Sequence, residues 1–247
     1  GIALVIYLPS LEYTPFSVRA GGAEGGADYS YATSWSFSPK EILTFFIPSA
    51  LGFGGQTYWG DMPFTDYPNY MGIITLFLAI IGFIYKRDRF MWFLFGTSLL
   101  AIFISFGKNL TIIYDLFYNF FPFFNKFRVP AMILILVQFN TCIMAAIGLD
   151  YLTSINKNKL PRWFWQSAGV LIFFLLILSF GESTLKSIIS SGYTQPRTSD
   201  PRVIQAINSL RWDMWYKDAW AMLFYLCATL TLLWTFFSDK VSLKTFS

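Results

Sequence analysis

Five long apolar blocks constrain this chain more than any other feature: Tyr70 to Tyr85, Phe90 to Gly107, Ala131 to Leu152, Trp163 to Gly181 and Ala219 to Phe237. A helix rises about 1.5 Å per residue, so about twenty apolar residues cross the roughly 30 Å hydrocarbon core of a bilayer. In lipid every backbone N–H and C=O must be satisfied within the protein, which makes such a block a helix. Only 13% of the 247 residues are charged, while 55% are hydrophobic and 21% aromatic. An ordinary soluble domain carries about 25% charged residues, so lipid must take the place of the missing polar surface. The sequence therefore predicts an all-α chain: a polytopic transmembrane helical bundle, with residues 1–247 forming part of one membrane domain. The block at 70–85 is the shortest and needs a flanking turn or a thin bilayer to span.

The gap Lys86-Arg87-Asp88-Arg89 is short enough to force the first two blocks into a helical hairpin. Positive charge is retained in short cytoplasmic loops. Gaps 86–89, 153–162 and 238–247 hold 8 Lys and Arg in 24 positions, against 10 in the 121 positions of gaps 9–69, 108–130 and 182–218. The first set is expected in the cytoplasm, and the long loops 9–69, 108–130 and 182–218 outside. Gly1 to Leu8 are apolar with no basic segment before them, which suits the end of a transmembrane helix beginning upstream better than a signal peptide.

Several function classes are disfavoured at once. Histidine is absent, and Cys142 and Cys227 lie inside apolar blocks, so thiol, zinc and histidine-based acid–base chemistry have no constellation to rest on. The net charge of +4 is spread over short gaps instead of one stripe, which argues for topology and against nucleic acid as a partner. The glycines at 21, 22, 25 and 26 lack the Gly-Lys-Ser/Thr ending of a phosphate loop and read as a flexible segment. Asn109-Leu110-Thr111 fits a glycosylation acceptor, which matters only in a eukaryotic secretory pathway.

The outward loops carry most of the irregular sequence, where binding and chemistry are usually placed. Loop 9–69 holds a short helix candidate from Pro39 to Phe46. Loop 108–130 repeats apolar residues at Ile113, Leu116, Phe117, Phe120 and Phe121, the spacing of an amphipathic interfacial helix capped by Asn109 and ended by Pro122. In loop 182–218, Asp200 before Pro201 marks a helix start. The apolar stripe of that helix is Val203, Ile204, Ile207, Leu210 and Met214.

Arg128 and Lys126 stand at the outer mouth of a transmembrane helix, where a lipid-linked phosphate would present its head, and a guanidinium fork matches phosphate oxygens. The competing reading places both in headgroups or in a pair with Asp115. Asp61 and Asp66 precede a helix, and Glu12 and Arg19 follow the first one. An exposed carboxylate at such a place can bind a divalent metal ion or accept a hydroxyl proton, whereas a solvated loop charge or helix cap is the simpler alternative. Tyr58, Trp59 and Tyr70 offer aromatic platforms for sugar rings, or anchors at the membrane interface. Gln138 and Asn140 inside a span are expected to hydrogen-bond a neighbouring helix.

Pro9-Ser10-Leu11-Glu12-Tyr13 with Phe16-Ser17-Val18-Arg19, then Pro39-Lys40-Glu41, Tyr58-Trp59-Gly60, Tyr70-Met71-Gly72-Ile73 and Phe127-Arg128-Val129-Pro130 together resemble the bacterial YfhO family. That family is similar to the GT-C glycosyltransferases, polytopic proteins that move a sugar from a polyprenyl-phosphate carrier to an acceptor outside the cytoplasmic membrane. The resemblance implies a multi-pass protein of the bacterial cytoplasmic membrane with membrane lipids and a polyprenyl-phosphate-linked sugar as partners. It implies no nucleotide site and no cofactor beyond a divalent metal ion. It also implies a catalytic acidic residue in an outward loop ahead of residue 1, so no base is nominated here. A transporter or flippase of lipid-linked precursors, or a noncatalytic scaffold subunit, remains the alternative.

Overall fold

The structure, a computed structural model, describes residues 2–16, 28–122, 124–155, 160–180 and 200–237. Among these residues all regular structure is helical: α1 (Ile2–Tyr13), α2 (Tyr29–Ala32), α3 (Ile73–Tyr85), α4 (Arg89–Ser105), α5 (Thr111–Phe120), α6 (Leu134–Ser154), α7 (Arg162–Phe180) and α8 (Pro201–Phe237), with short 3-10 turns between them. Three helical segments, Pro130–Ser154, Arg162–Phe180 and Pro201–Phe237, are long and apolar enough to cross a membrane, and α3 and α4 are shorter apolar helices. Large apolar side chains stand on the outside of these helices, among them Phe93, Phe139, Val170, Phe173 and Phe224. A helix apolar on its exposed face belongs in lipid. The chain is an all-α membrane protein.

The described residues divide into two compact units. The first comprises residues 1–39, 61–63 and 99–135. Here the end of α4 receives the extended segment 36–38: Phe37 N donates to Ser105 O at 2.8 Å, Lys108 N to Ser36 Oγ at 3.0 Å, and Asn109 Nδ2 to Phe37 O at 2.8 Å. Gly107 turns the chain with φ +45°, and a Cβ there would sit 2.1 Å from Ser36 Oγ. Asn109 therefore does not cap α5 as expected. The cap position is Leu110, without a side-chain bond, because the Asn109 amide is spent on Phe37.

Helix α5 forms where its periodicity predicts, with much of its expected apolar stripe outward, as a helix lying in the interface requires. Tyr114 is buried, while Leu116, Phe120 and Phe121 from the expected stripe are exposed together with Ile112. Ile112, Leu116 and Phe120 recur every fourth residue and make one apolar ridge, the side suited to lie on lipid. Tyr114 goes inside because its ring meets Tyr118 and Phe124.

The second unit comprises residues 40–60, 64–98 and 136–247, and its core is built on α3, α7 and α8. Ile73, Phe77, Ile81, Phe164, Leu171, Leu175 and Leu226 form the main cluster. The hairpin gap works as expected: α3 ends at Tyr85, and Asp88 starts α4 by accepting Met91 N at 2.8 Å, an N-cap bond to the third helical residue. Asn140 of α6 donates to Leu94 O at 3.2 Å, Thr97 Oγ1 at 2.9 Å and Ser98 Oγ at 3.1 Å. That is the interhelical role expected of a polar residue in a span.

Helix α8 departs from the expected pair of separate helices. Asp200 Oδ1 accepts Arg202 N at 2.9 Å, so the start is as predicted, but the helix then runs 37 residues without a break. Nothing in the sequence from 202 to 237 interrupts it, since neither Gly nor Pro occurs there. Its inward face is Ile207, Arg211, Trp215, Ala219, Met222, Leu226 and Leu230. Val203 and Leu210 of the expected stripe are exposed, because the helix is turned so that Arg211 points inward.

Candidate functional site

In the first unit Arg128 is the centre of the arrangement. The chain at 129–131 is pinned to the turn after α2 by Val129 N donating to Ala32 O and Ala131 N donating to Trp35 O, each at 3.3 Å. This brings the guanidinium over two rings, with Cζ 4.6 Å from the Tyr31 centroid and 4.7 Å from that of Trp35. Both distances are within cation–π range. Nη1 donates to the Tyr31 hydroxyl, while Nε is buried and has no hydrogen-bond partner among the described residues. A buried donor left without an acceptor costs about 1–3 kcal/mol.

Arg128 also lines a cavity of about 220 Å³ whose other walls include Ile104, Tyr114, Phe124, Phe127 and Met132. A cationic head beside an apolar hollow matches an amphiphile with a phosphate head and a hydrocarbon tail. The neighbouring Val129 has φ +66° and ψ +74°, a left-handed conformation that is a genuine outlier for a β-branched residue. Strain of this kind gathers where the surroundings hold a residue in one functional geometry. Lys126 is half-buried at the end of the preceding 3-10 turn and is not part of the cavity wall.

Asp115, the expected alternative partner of Arg128, is engaged elsewhere: it accepts the Tyr29 hydroxyl at 2.6 Å. Burial pushes the Tyr29 phenol well above its ordinary range, and the bond to Asp115 adds to the effect. Burial likewise pushes Tyr114 up to about 12, helped by Tyr118 and Asp115. Both phenols are neutral donors at physiological pH.

The other nominated residues do not gather around Arg128. Trp59 is 1% exposed in a cluster with Ile47, Leu51, Trp215 and Ala219, edge-on to Trp212 at 5.2 Å. It has no open face for a sugar ring. Tyr58 is half-buried and donates its hydroxyl to Glu41, itself 1% exposed. Tyr70 accepts Ile73 N at 2.8 Å and donates to Met222 Sδ at 2.7 Å, so its hydroxyl starts α3 and ties it to α8. Glu12, Asp61 and Asp66 are exposed. Asp61 belongs to the first unit and Asp66 to the second. Arg19 and the glycine cluster at 21–26 lie outside the described residues. Among the described residues no group of three or more Cys, Asp and Glu gathers to hold a metal ion.

The sequence reading did not single out Arg211 or Glu41 for a role in the core. Arg211 is 2% exposed. Its Nε donates to Thr57 O at 3.0 Å and its Nη2 to Gln56 O at 3.1 Å and Tyr58 O at 3.0 Å. One guanidinium thus shapes the loop that carries Tyr58 and Trp59. Its signal was present: Arg211 lies four residues from both Ile207 and Trp215, on one helix face, but a stripe counted from apolar residues alone passes over it. Gly60 completes this corner, since a Cβ there would lie 2.2 Å from Glu41 Oε1 and 2.2 Å from the Tyr58 hydroxyl oxygen.

Comparison with protein-family models, with curated proteins and with solved structures finds no match to this chain.

Proposed function

We propose that the protein is a membrane glycosyltransferase-like protein that uses a polyprenyl-phosphate-linked sugar on the outer side of a bacterial cytoplasmic membrane, with Arg128 holding the carrier phosphate. The observation that carries this reading is the Arg128 guanidinium, lying over the Tyr31 and Trp35 rings with a buried Nε that has no partner among the described residues, at the wall of an apolar cavity. In the reaction an acceptor hydroxyl gives up its proton to a carboxylate base and attacks the anomeric carbon, the bond from that carbon to the carrier phosphate breaks, and the phosphate leaves with the added negative charge. A fixed guanidinium stabilises that charge more than the ground-state diester, which is what lowers the barrier. Contact with the two rings and the bond to the Tyr31 hydroxyl limit the guanidinium's freedom, so little reorganisation is needed when charge develops. The resemblance to the YfhO family and the charge asymmetry of the loops support the substrate class and the side of the membrane.

The test uses the full chain in lipid nanodiscs with a radiolabelled polyprenyl-phosphate sugar and an acceptor extract. Release of unlabelled carrier together with label on the acceptor supports the reading, and Arg128→Ala should then lower transfer by at least about tenfold, the effect of losing one charge-assisted hydrogen bond. Arg128→Lys should recover only part of it, because an ammonium does not reproduce the planar fork. Binding or translocation of the labelled lipid without transfer would instead identify a transporter of lipid-linked precursors. Neither binding nor transfer would leave a noncatalytic subunit.

A further inference from the structure

The second unit contains a larger hollow of about 590 Å³ between α3 and α7, a volume in the range of about 300–1,000 Å³ typical of small-molecule sites. We propose that this groove binds one anionic phospholipid from the leaflet beside the Lys/Arg-rich loops, with the headgroup phosphate at Arg87 and an acyl chain along the groove. The proposal is independent of the glycosyl-transfer reading.

Three observations commit the site to this occupant. The first is where it opens. Its wall includes Ile80 and Val170, which are 36% and 70% exposed on helices whose outer faces are apolar, so the hollow communicates with the hydrocarbon and not with water. The second is its polarity. Ile80, Ile84, Val170, Leu171 and Phe174 make an apolar trough, and the charged and amide groups in the wall are Arg87 and Gln166.

These polar groups mark one end. Tyr85 at the close of α3 stacks on Tyr151 with centroids 3.6 Å apart, and Tyr151 stacks on Trp163 at 5.8 Å. This aromatic cluster beside Arg87 has the composition of a membrane–water interface. Arg87 is exposed and makes no ion pair among the described residues, since neighbouring Asp88 faces Lys86 at 3.7 Å and caps α4. A guanidinium so placed suits a phosphodiester. Lys86, Arg89 and Arg162 at the same helix ends add to the attraction for negative charge.

The third observation is length. From Trp163 to Phe174 the groove follows α7 for about 16 Å at 1.5 Å per residue, close to half of the roughly 30 Å hydrocarbon core. That is the depth of one leaflet, so a single acyl chain fills the trough with its headgroup at the Arg87 end.

The test is native mass spectrometry of the delipidated full chain in detergent, titrated in parallel with phosphatidylglycerol and phosphatidylcholine of identical acyl chains. One phosphatidylglycerol should be retained at about fivefold lower concentration than phosphatidylcholine, the factor expected of one basic residue at a membrane surface. Arg87→Gln should bring the two lipids to parity. Val170→Trp, at an exposed position where the larger side chain fills the trough without disturbing the core, should abolish the retained lipid of either kind. Both variants are checked for an unchanged helical spectrum. Equal retention of the two lipids by the parent protein, or undiminished phosphatidylglycerol retention in either folded variant, overturns the proposal.

Discussion

Gly82 of α3 and Gly148 of α6 bring two helix backbones into direct contact: a Cβ on Gly148 would lie 2.0 Å from Leu78 O and 2.9 Å from Gly82 N, and one on Gly82 would lie 2.2 Å from Met144 O. In lipid no hydrophobic effect drives helices together, so close packing of small residues takes on that role. All three obstacles are backbone atoms, which cannot rotate away. Gly148→Ala is expected to separate the helices and destabilise the protein by about 1–3 kcal/mol, the usual cost of overpacking. Thermal unfolding in detergent checks this. An unchanged melting temperature would contradict the close backbone contact. The same substitution at Gly96, where a Cβ meets nothing within 4 Å, should be harmless.

Arg211 serves the loop it holds. Arg211→Met leaves the carbonyls of Gln56, Thr57 and Tyr58 without their shared donor, at an expected cost of about 3 kcal/mol if each loss is near the low end for a buried unsatisfied group. Arg211→Lys should recover only a fraction, since one ammonium cannot span three carbonyls as the fork does. Hydrogen exchange over residues 54–60 should rise in both variants, more in the Met variant. Equal protection in all three proteins would contradict the anchoring role.

Val129 is strained, and the strain has a measurable sign. A β-branched residue in the left-handed region costs about 1–3 kcal/mol, and Asn tolerates that conformation far better. Val129→Asn should raise the melting temperature even though it removes a half-buried apolar side chain. A fall would mean that the packing of Val129 outweighs its backbone cost.

The tyrosines of the first unit make stability depend on alkaline pH. A phenol whose folded pKa is raised keeps its proton after the unfolded chain has begun to lose it. The stabilisation it contributes is therefore complete below about pH 10 and is lost as pH rises through the folded value. For Tyr114 the folded value is about 12, and Tyr29 is shifted in the same direction. Melting temperatures should be flat up to about pH 9 and fall above about pH 10. Tyr29→Phe should shallow that fall while lowering stability at neutral pH, because Asp115 loses its donor. An alkaline slope identical in the two proteins would remove Tyr29 from the account.

Much of the architecture is legible in the one-dimensional pattern. Apolar blocks of spanning length, the four-residue gap at 86–89, and Asp200 before Pro201 each act through local backbone chemistry. Apart from α8, which begins at Pro201 well ahead of its apolar block, the corresponding helices lie within a few residues of their expected limits. Asn140 belongs with them, since a polar amide in a span has few choices but a neighbouring helix. Which face of a helix turns inward is a different matter. On α8 Arg211 lies inside while Leu210 lies out, because a charged group with three carbonyls to meet is better placed inside than an apolar one beside lipid. The site follows the same division. Arg128 stood out by its residue type and its position at the outer mouth of a spanning block, but its contact with Tyr31 and Trp35 spans nearly a hundred residues of chain. The burial of Trp59 likewise depends on α8. Local sequence determined the helices and their punctuation, because hydrogen bonding in lipid leaves the backbone no alternative. Tertiary structure decided which polar groups are spent on holding loops and which are left to meet a ligand, because that depends on partners the chain brings together only on folding.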